Sequence, residues 1–252
     1  RRHLMSDVLI ARQFRGPPNS GNGGYVCGVL GREFDGPSTA ILRAIVPLDT
    51  PMRFDRTDAG LTMLHGETLI GEARPAEKSD LPEVWPAPSL EEAKAATLRS
   101  PTWERPLHPP CFSCSLTREE GDGLRVATGQ VTGQPEGYLA GTWTPHANFD
   151  DGTGHAPVEV VWAALDCPGS IVWMVKGTPV GLLGTMTAEV TKLPKIGEPH
   201  IVTTWPIGSE GRKFYSGVAL FTADGELLAR GHQVWIGRNP NAPPRPPQAP
   251  PP

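Results

Sequence analysis

Short runs of hydrophobic and polar positions follow one another in an order that occurs twice along the chain. In the first half, residues 8–14 read as a strand, and a loop of Gly, Pro and Asn comes next. Residues 23–34 (GGYVCGVLGREF) then place Val26, Val29 and Leu30 at helical spacing among small residues, which predicts a helix. Strand-like runs at 39–46, 61–65 and 68–73 complete this half.

The second half repeats the order. Residues 124–132 and 137–143 read as strands, and an Asp- and Gly-rich loop leads to Pro157, well suited to open a helix. Residues 158–166 (VEVVWAALD) are apolar almost all round, which predicts burial on nearly every side. Strands are predicted at 182–193, 200–205, 213–222 and 227–235, with Ala223-Asp224-Gly225 as a hairpin turn. Between the halves a Pro-rich stretch holds one helical candidate, 90–99, opened by Ser89 with Glu91 and Glu92 in its first turn. A strand, a buried helix and a run of antiparallel strands, twice over, imply an α+β architecture. Two antiparallel sheets would each wrap a central helix, and side by side they would form one continuous sheet. The expected organisation is a first unit at 6–75, a linker at 76–110, a second unit at 111–238 and a Pro-rich tail at 239–252. That tail (NPNAPPRPPQAPPP) has almost no apolar side chain to bury and should be extended or disordered.

Composition narrows the partners. A net charge of −4 and a pI near 6.0 leave no basic footprint for nucleic acid or an anionic membrane surface. The most apolar stretch, 158–175, is interrupted by Glu159, Asp166 and Pro168, which argues against a membrane span. Nothing near the N-terminus resembles a signal peptide, and four cysteines do not make a disulfide scaffold, so a reducing cytoplasm is the expected location.

Three patches resemble the double-hotdog acyl-CoA thioesterases of the type II class. Gly23-Gly24-Tyr25-Val26-Cys27-Gly28 is similar to the GGxVxG run that opens the first hotdog helix. Trp162-Ala163-Ala164-Leu165-Asp166 is similar to the end of the second helix segment, where the resemblance implies a catalytic Asp. Residues 217–221 and 224–229, followed by Gln233, resemble the C-terminal hairpin, whose second strand carries a catalytic Gln in that family. The family's third group is a hydroxyl on the strand after the second helix, and Thr185 and Thr187 both fit that region. Residues 109–124 (PPCFSCSLTREEGDGL) depart from the pattern and look more like a group of actinobacterial hotdog proteins with a Cys-x-x-Cys and an ALDCP helix.

What the resemblance implies is hydrolysis of an acyl-CoA or another acyl thioester. Asp166 would take a proton from water while Gln233 and a threonine hold that water in line. Glu159, in the first turn of the second helix, is the reserve base, though an acid there is favoured by the helix dipole alone. Asn22, Gly23, Gly24 and Tyr25 at the first helix start are the candidate substrate-binding residues, with backbone N–H groups for the oxyanion. Two rival readings are a hotdog protein that binds acyl chains without cleaving them and a dehydratase or cyclase of a biosynthetic pathway. No cofactor is called for. Cys111-x-x-Cys114 supplies only one knuckle where a structural zinc needs four ligands, and Cys27 and Cys167 fall on predicted helices, so no metal is expected. Hotdog sheets often pair, which makes a homo-oligomer the natural form of association.

Overall fold

Asn22 opens the first helix because its side-chain oxygen accepts the Tyr25 N–H at 2.9 Å, filling one of the donors a helix start leaves free. The helix, α1 (Gly23–Gly31), buries eight of its nine residues. The protein is described here by a computed structural model covering residues 6–178 and 180–237; the tail expected at 239–252 lies outside the described residues. Around α1 lie β1 (Ser6–Val8), β2 (Ser38–Leu42), β3 (Met52–Thr57), β4 (Gly60–His65) and β5 (Thr68–Pro75). A linker helix α2 (Leu90–Thr97) precedes β6 (Gly129–Gln130) and β7 (Leu139–Trp143). The central pair α3 (Val158–Ala164) and α4 (Asp166–Val175) is followed by β8 (Leu182–Val190), β9 (His200–Glu210), β10 (Lys213–Thr222) and β11 (Leu227–Ile236).

All described strands belong to one antiparallel sheet, in the order β1-β3-β4-β5-β2-β8-β11-β10-β9-β7-β6. Leaving out the short β6, the order is a palindrome about the β2–β8 pair: each half runs first strand, third, fourth, fifth, second. The chain is therefore two hotdog units sharing one sheet, joined where Thr39 pairs with Thr187 and Ala40 with Met186. The principal core takes residues from both halves, including Val26, Leu30, Val161, Trp162, Met186 and Val218.

Several elements differ from the sequence expectation for local reasons. The strand expected at 8–14 is only Ser6–Val8, and Arg12–Phe14 forms one turn of 3-10 helix. β3 was not expected: Met52 and Phe54 point inward, but they are followed by Asp55, Arg56 and Thr57, so the alternation ends after two apolar residues. The strand expected at 124–132 shrinks to Gly129–Gln130. Arg125 has a φ of 56°, and the N–H groups of Leu124 and Val126 donate to Phe112 and Ser113 rather than to a strand.

The largest difference is α4. The helix expected to end at Asp166 breaks only at Leu165, and Asp166 starts a second helix of ten residues. Pro168 sits in the first turn of α4, where its missing N–H is not needed. The segment Val158–Val175 is 18 residues long with a mean hydropathy of 1.4, but it is 78% buried inside the protein, as a core helix should be.

The linker helix α2 has the expected cap: Ser89 and Glu92 exchange hydrogen bonds in a capping box. Ala93 and Ala96 pack on Ile201, Trp205, Ala219 and Phe221. On β9 and β10 these residues alternate with Val202, Val218 and Leu220 of the principal core, so α2 covers the sheet face opposite to α3 and α4.

Candidate functional site

The site begins with three glycines. Gly24, Gly28 and Gly31 are spaced by four and three residues, so they share one face of α1. A Cβ on Gly24 would lie 2.5 Å from Asp166 Cβ and 2.6 Å from the Trp162 carbonyl oxygen. One on Gly28 would lie 2.6 Å from Glu159 Cα, and one on Gly31 2.7 Å from the Trp162 ring. As numbers rise along α1 they fall along α3, so the two helices pack antiparallel at close range. Asp166 is thereby set against the first turn of α1.

Asp166 is 3% exposed, and its Oδ1 has no hydrogen-bond partner among the described residues. Burial, and next the charge of a Cys111 thiolate, push its carboxyl up to about 7, while the Gly24 N–H and the Asn22 amide pull the other way. In α1 the Tyr25 N–H goes to Asn22 Oδ1 and the Val26 N–H to Asn22 O, which leaves the Gly23 and Gly24 N–H groups outside the helix ladder. Tyr25 stacks on Phe14 with ring centroids 4.1 Å apart, and burial raises its hydroxyl to about 12. Asn22 and Gly24 thus meet Asp166, Tyr25 lies in the adjoining aromatic cluster, and Gly23 is held under Leu183 of β8.

Gln233 is also brought to this point, but by its backbone partners. Its Nε2 donates to the Leu165 carbonyl at 2.7 Å and the Asp166 carbonyl at 3.2 Å, and its Oε1 accepts the Trp235 indole N–H at 2.9 Å. With both amide hydrogens used, the side chain fixes the α3–α4 junction and has no donor left to hold a water.

The threonines do not join the site. Gln233 is the cross-strand partner of Met186, so these two side chains share the helix-facing side of the sheet. Thr185 and Thr187 flank Met186 and therefore point to the other side. There the Thr187 hydroxyl meets that of Thr39 at 2.7 Å, and Thr187 pairs with His232. The thioether of Met186, 3.7 Å from Gln233 Nε2, stands where the hydroxyl was expected. Glu159 is likewise engaged elsewhere: its Oε1 accepts from Arg32 Nη1 at 2.6 Å.

Three cysteines form a cluster that their spacing in the sequence does not reveal. The Sγ atoms of Cys111, Cys114 and Cys167 all lie within 4.8 Å of one another, with Cys111 and Cys167 at 3.4 Å. All three are buried and free. Cys167 lies on a helix, as expected, yet its place beside Asp166 at the start of α4 brings it to the Cys111–Cys114 turn. Hydrogen bonds from Cys114 and then Cys167 hold the Cys111 thiol well below the usual range, and Cys114 and Cys167 are correspondingly pushed up. Only the adjacency of Asp166 and Cys167 was there to be noticed in the sequence, because 56 residues separate Cys111 from Cys167.

A cavity of about 470 Å³ lined by Leu81, Trp85, Trp205, Ile207 and His232 lies on the other face of the sheet, under the linker. The sheet itself separates it from Asp166.

No protein-family model and no curated protein matches the sequence. Solved structures do match in fold. The tesB protein of Mycobacterium avium subs paratuberculosis superposes with a TM-score of 0.63 at 11% identity, covering 93% of each chain. A conserved protein of unknown function with a hot dog fold from Alicyclobacillus acidocaldarius gives 0.58 at 15% identity over 94% of each. Acyl-CoA thioesterase II TesB2 from Mycobacterium marinum gives 0.51 at 11% over 94% of each. At such identities the likeness establishes the fold alone, a double hotdog over 93–94% of the chain.

Proposed function

We propose that this double-hotdog protein is a thioester hydrolase acting on acyl-CoA, with Asp166 as the general base. The observation that carries the reading is the buried Asp166 carboxylate, one oxygen unpaired, set against the first turn of α1. The acyl-CoA thioesterase name of one fold neighbour, that from Mycobacterium marinum, agrees with it. In the proposed reaction Asp166 takes a proton from a water as that water attacks the thioester carbonyl carbon. The carbonyl oxygen gains negative charge and is met by the Gly23 N–H at the positive end of α1. Collapse breaks the C–S bond, and the proton passes from Asp166 to the leaving thiolate, giving a free acid and CoA. Asn22 holds the Asp166 side chain, Tyr25 belongs to the wall of the acyl site, and Gln233 acts as a positioning residue through the main chain of Leu165 and Asp166. Because Asp166 is 3% exposed, an opening step precedes the chemistry.

The test is release of free thiol from a panel of acyl-CoAs by wild type and by Asp166→Asn. Loss of the base should lower turnover by roughly 100-fold or more. The reading fails if folded wild type cleaves no acyl-CoA, or if Asp166→Asn keeps the wild-type rate. A rise in melting temperature with fatty acyl ligands, in the absence of cleavage, would move the assignment to a binding protein.

A further inference from the structure

We propose that Cys111, Cys114 and Cys167 bind one thiophilic divalent cation, zinc first, as a three-thiolate site with one position open. Two parts of the chain far apart in sequence converge to make it: the turn after Pro110 and the first turn of α4. A tetrahedral zinc with Zn–S bonds of about 2.3 Å places its sulfurs about 3.8 Å apart. The sulfurs here, 3.4 Å apart for one pair and all within 4.8 Å of one another, are close enough together to share one such ion. At 3.4 Å two sulfurs are closer than apolar packing needs, and all three thiols lose their hydration at once.

The surroundings suit thiolates. The N–H groups of Ser113 and Cys114 face Cys111, as the turn of a Cys-x-x-Cys knuckle directs them, and the Asn22 amide approaches Cys111 Sγ at 3.6 Å. Such N–H···S contacts spread the negative charge of a ligating sulfur and fix its direction. A second observation stands apart from the cysteines: the fully buried, unpartnered Oδ1 of Asp166, the residue preceding Cys167. No fourth His, Cys, Asp or Glu joins the group among the described residues, so the fourth position falls to water or another small ligand. Soft sulfur donors select zinc or iron over magnesium or calcium. Bound there, a cation would tie the Cys111–Cys114 turn to α4 next to Asp166. The inference does not depend on thioester hydrolysis, because its test reads metal rather than turnover.

The full chain is purified under reducing conditions without a chelating resin, and its metal content is measured. About one zinc per chain is expected. Cys111→Ser, Cys114→Ser and Cys167→Ser should each lower the content at least tenfold, while Cys27→Ala, which alters the buried cysteine outside the group, should keep it. Should a serine variant fail to fold, wild type stripped with a chelator and shown folded by circular dichroism is titrated with Co²⁺. A thiolate-to-cobalt charge-transfer band should saturate at one equivalent and vanish on adding Zn²⁺. The proposal is overturned if wild type carries less than about a tenth of an equivalent of metal and the folded, reduced protein gives no cobalt band. A Cys111–Cys167 disulfide in protein kept reduced throughout would overturn it equally.

Discussion

Replacing Gly28 by Ala tests the close packing on which the site depends. The new methyl would sit 2.6 Å from Glu159 Cα and 2.8 Å from Trp162 Cβ. The first of these is backbone, so no flexible side chain can swing aside, and α1 must move away from α3. Overpacking of this kind costs about 1–3 kcal/mol, and contact with backbone puts it near the upper end. Alanine recovers about 1 kcal/mol through its better helix propensity. The net loss is about 2 kcal/mol, and at roughly 2–4 °C per kcal/mol the melting temperature should fall by about 4–8 °C. Thermal unfolding followed by circular dichroism reads it directly. Gly208→Ala is the control: a Cβ there meets nothing within 4 Å, and stability should stay within about 0.5 kcal/mol. Hydrolysis by Gly28→Ala, measured where the protein is still folded, should also drop, since the shift carries Gly24 away from Asp166. A Gly28→Ala protein as stable as wild type would refute the packing argument.

Three further outcomes follow from the same geometry. Gln233→Leu strands the Leu165 and Asp166 carbonyls and the Trp235 indole N–H, so it should lose about 2–4 kcal/mol in urea unfolding; a loss under about 1 kcal/mol would contradict the positioning role. Glu159→Gln removes only an ion pair whose Arg32 side chain is 39% exposed, so stability should change by no more than about 1 kcal/mol and acyl-CoA hydrolysis by less than about threefold; a large fall in rate would reinstate Glu159 as the base. Burial holds the His232 imidazole below its ordinary range, so the unfolded chain binds that proton more tightly than the folded one. Its contribution is complete above about pH 6.5 and is lost as pH falls through the lowered folded value. The stability difference between wild type and His232→Gln should therefore shrink in favour of the variant between pH 7.5 and pH 5, and a difference independent of pH would show that His232 does not titrate in this way.

Which features were legible in the sequence depended on how local their cause is. The α1 start, the opening of α2 at Ser89 and the Asp224-Gly225 turn each arise within a few residues, and each was placed within a residue or two. The repeated order of elements was equally readable, because each half carries its own copy. The continuation into α4 was hidden because Pro168 reads as a helix breaker until a helix is known to begin two residues earlier. The threonines failed on register: Thr185 and Thr187 do share a face, as expected, but pairing Gln233 with Met186 puts that face on the far side of the sheet. The cysteine group required knowing that the α3–α4 junction faces the Cys111 turn, and nothing in the spacing of the three cysteines says so.

The palindromic sheet has a consequence for where chemistry can occur. Because α1 and α3 lie antiparallel between two copies of one unit, each helix start rests against the other helix's end, which makes two related positions. At one, the start of α3 brings Glu159 to Gly28 and Arg32, and the carboxylate is taken up by the guanidinium at 2.6 Å. At the other, the start of α1 brings Asn22 and Gly24 to Asp166, and no cation among the described residues pairs with it. Two identical chains pairing as separate hotdogs would have to carry the same residues at both positions. Fusion into one chain frees each to change alone. Here one position holds an ion pair between the halves, while the other holds a buried acid with no counter-ion among the described residues, a main-chain donor and a cysteine trio beside it. A buried carboxyl with one oxygen unpartnered and no counter-charge is costly to a fold, which makes Asp166, rather than the neutralised Glu159, the position where the fold holds an acid it does not need for stability.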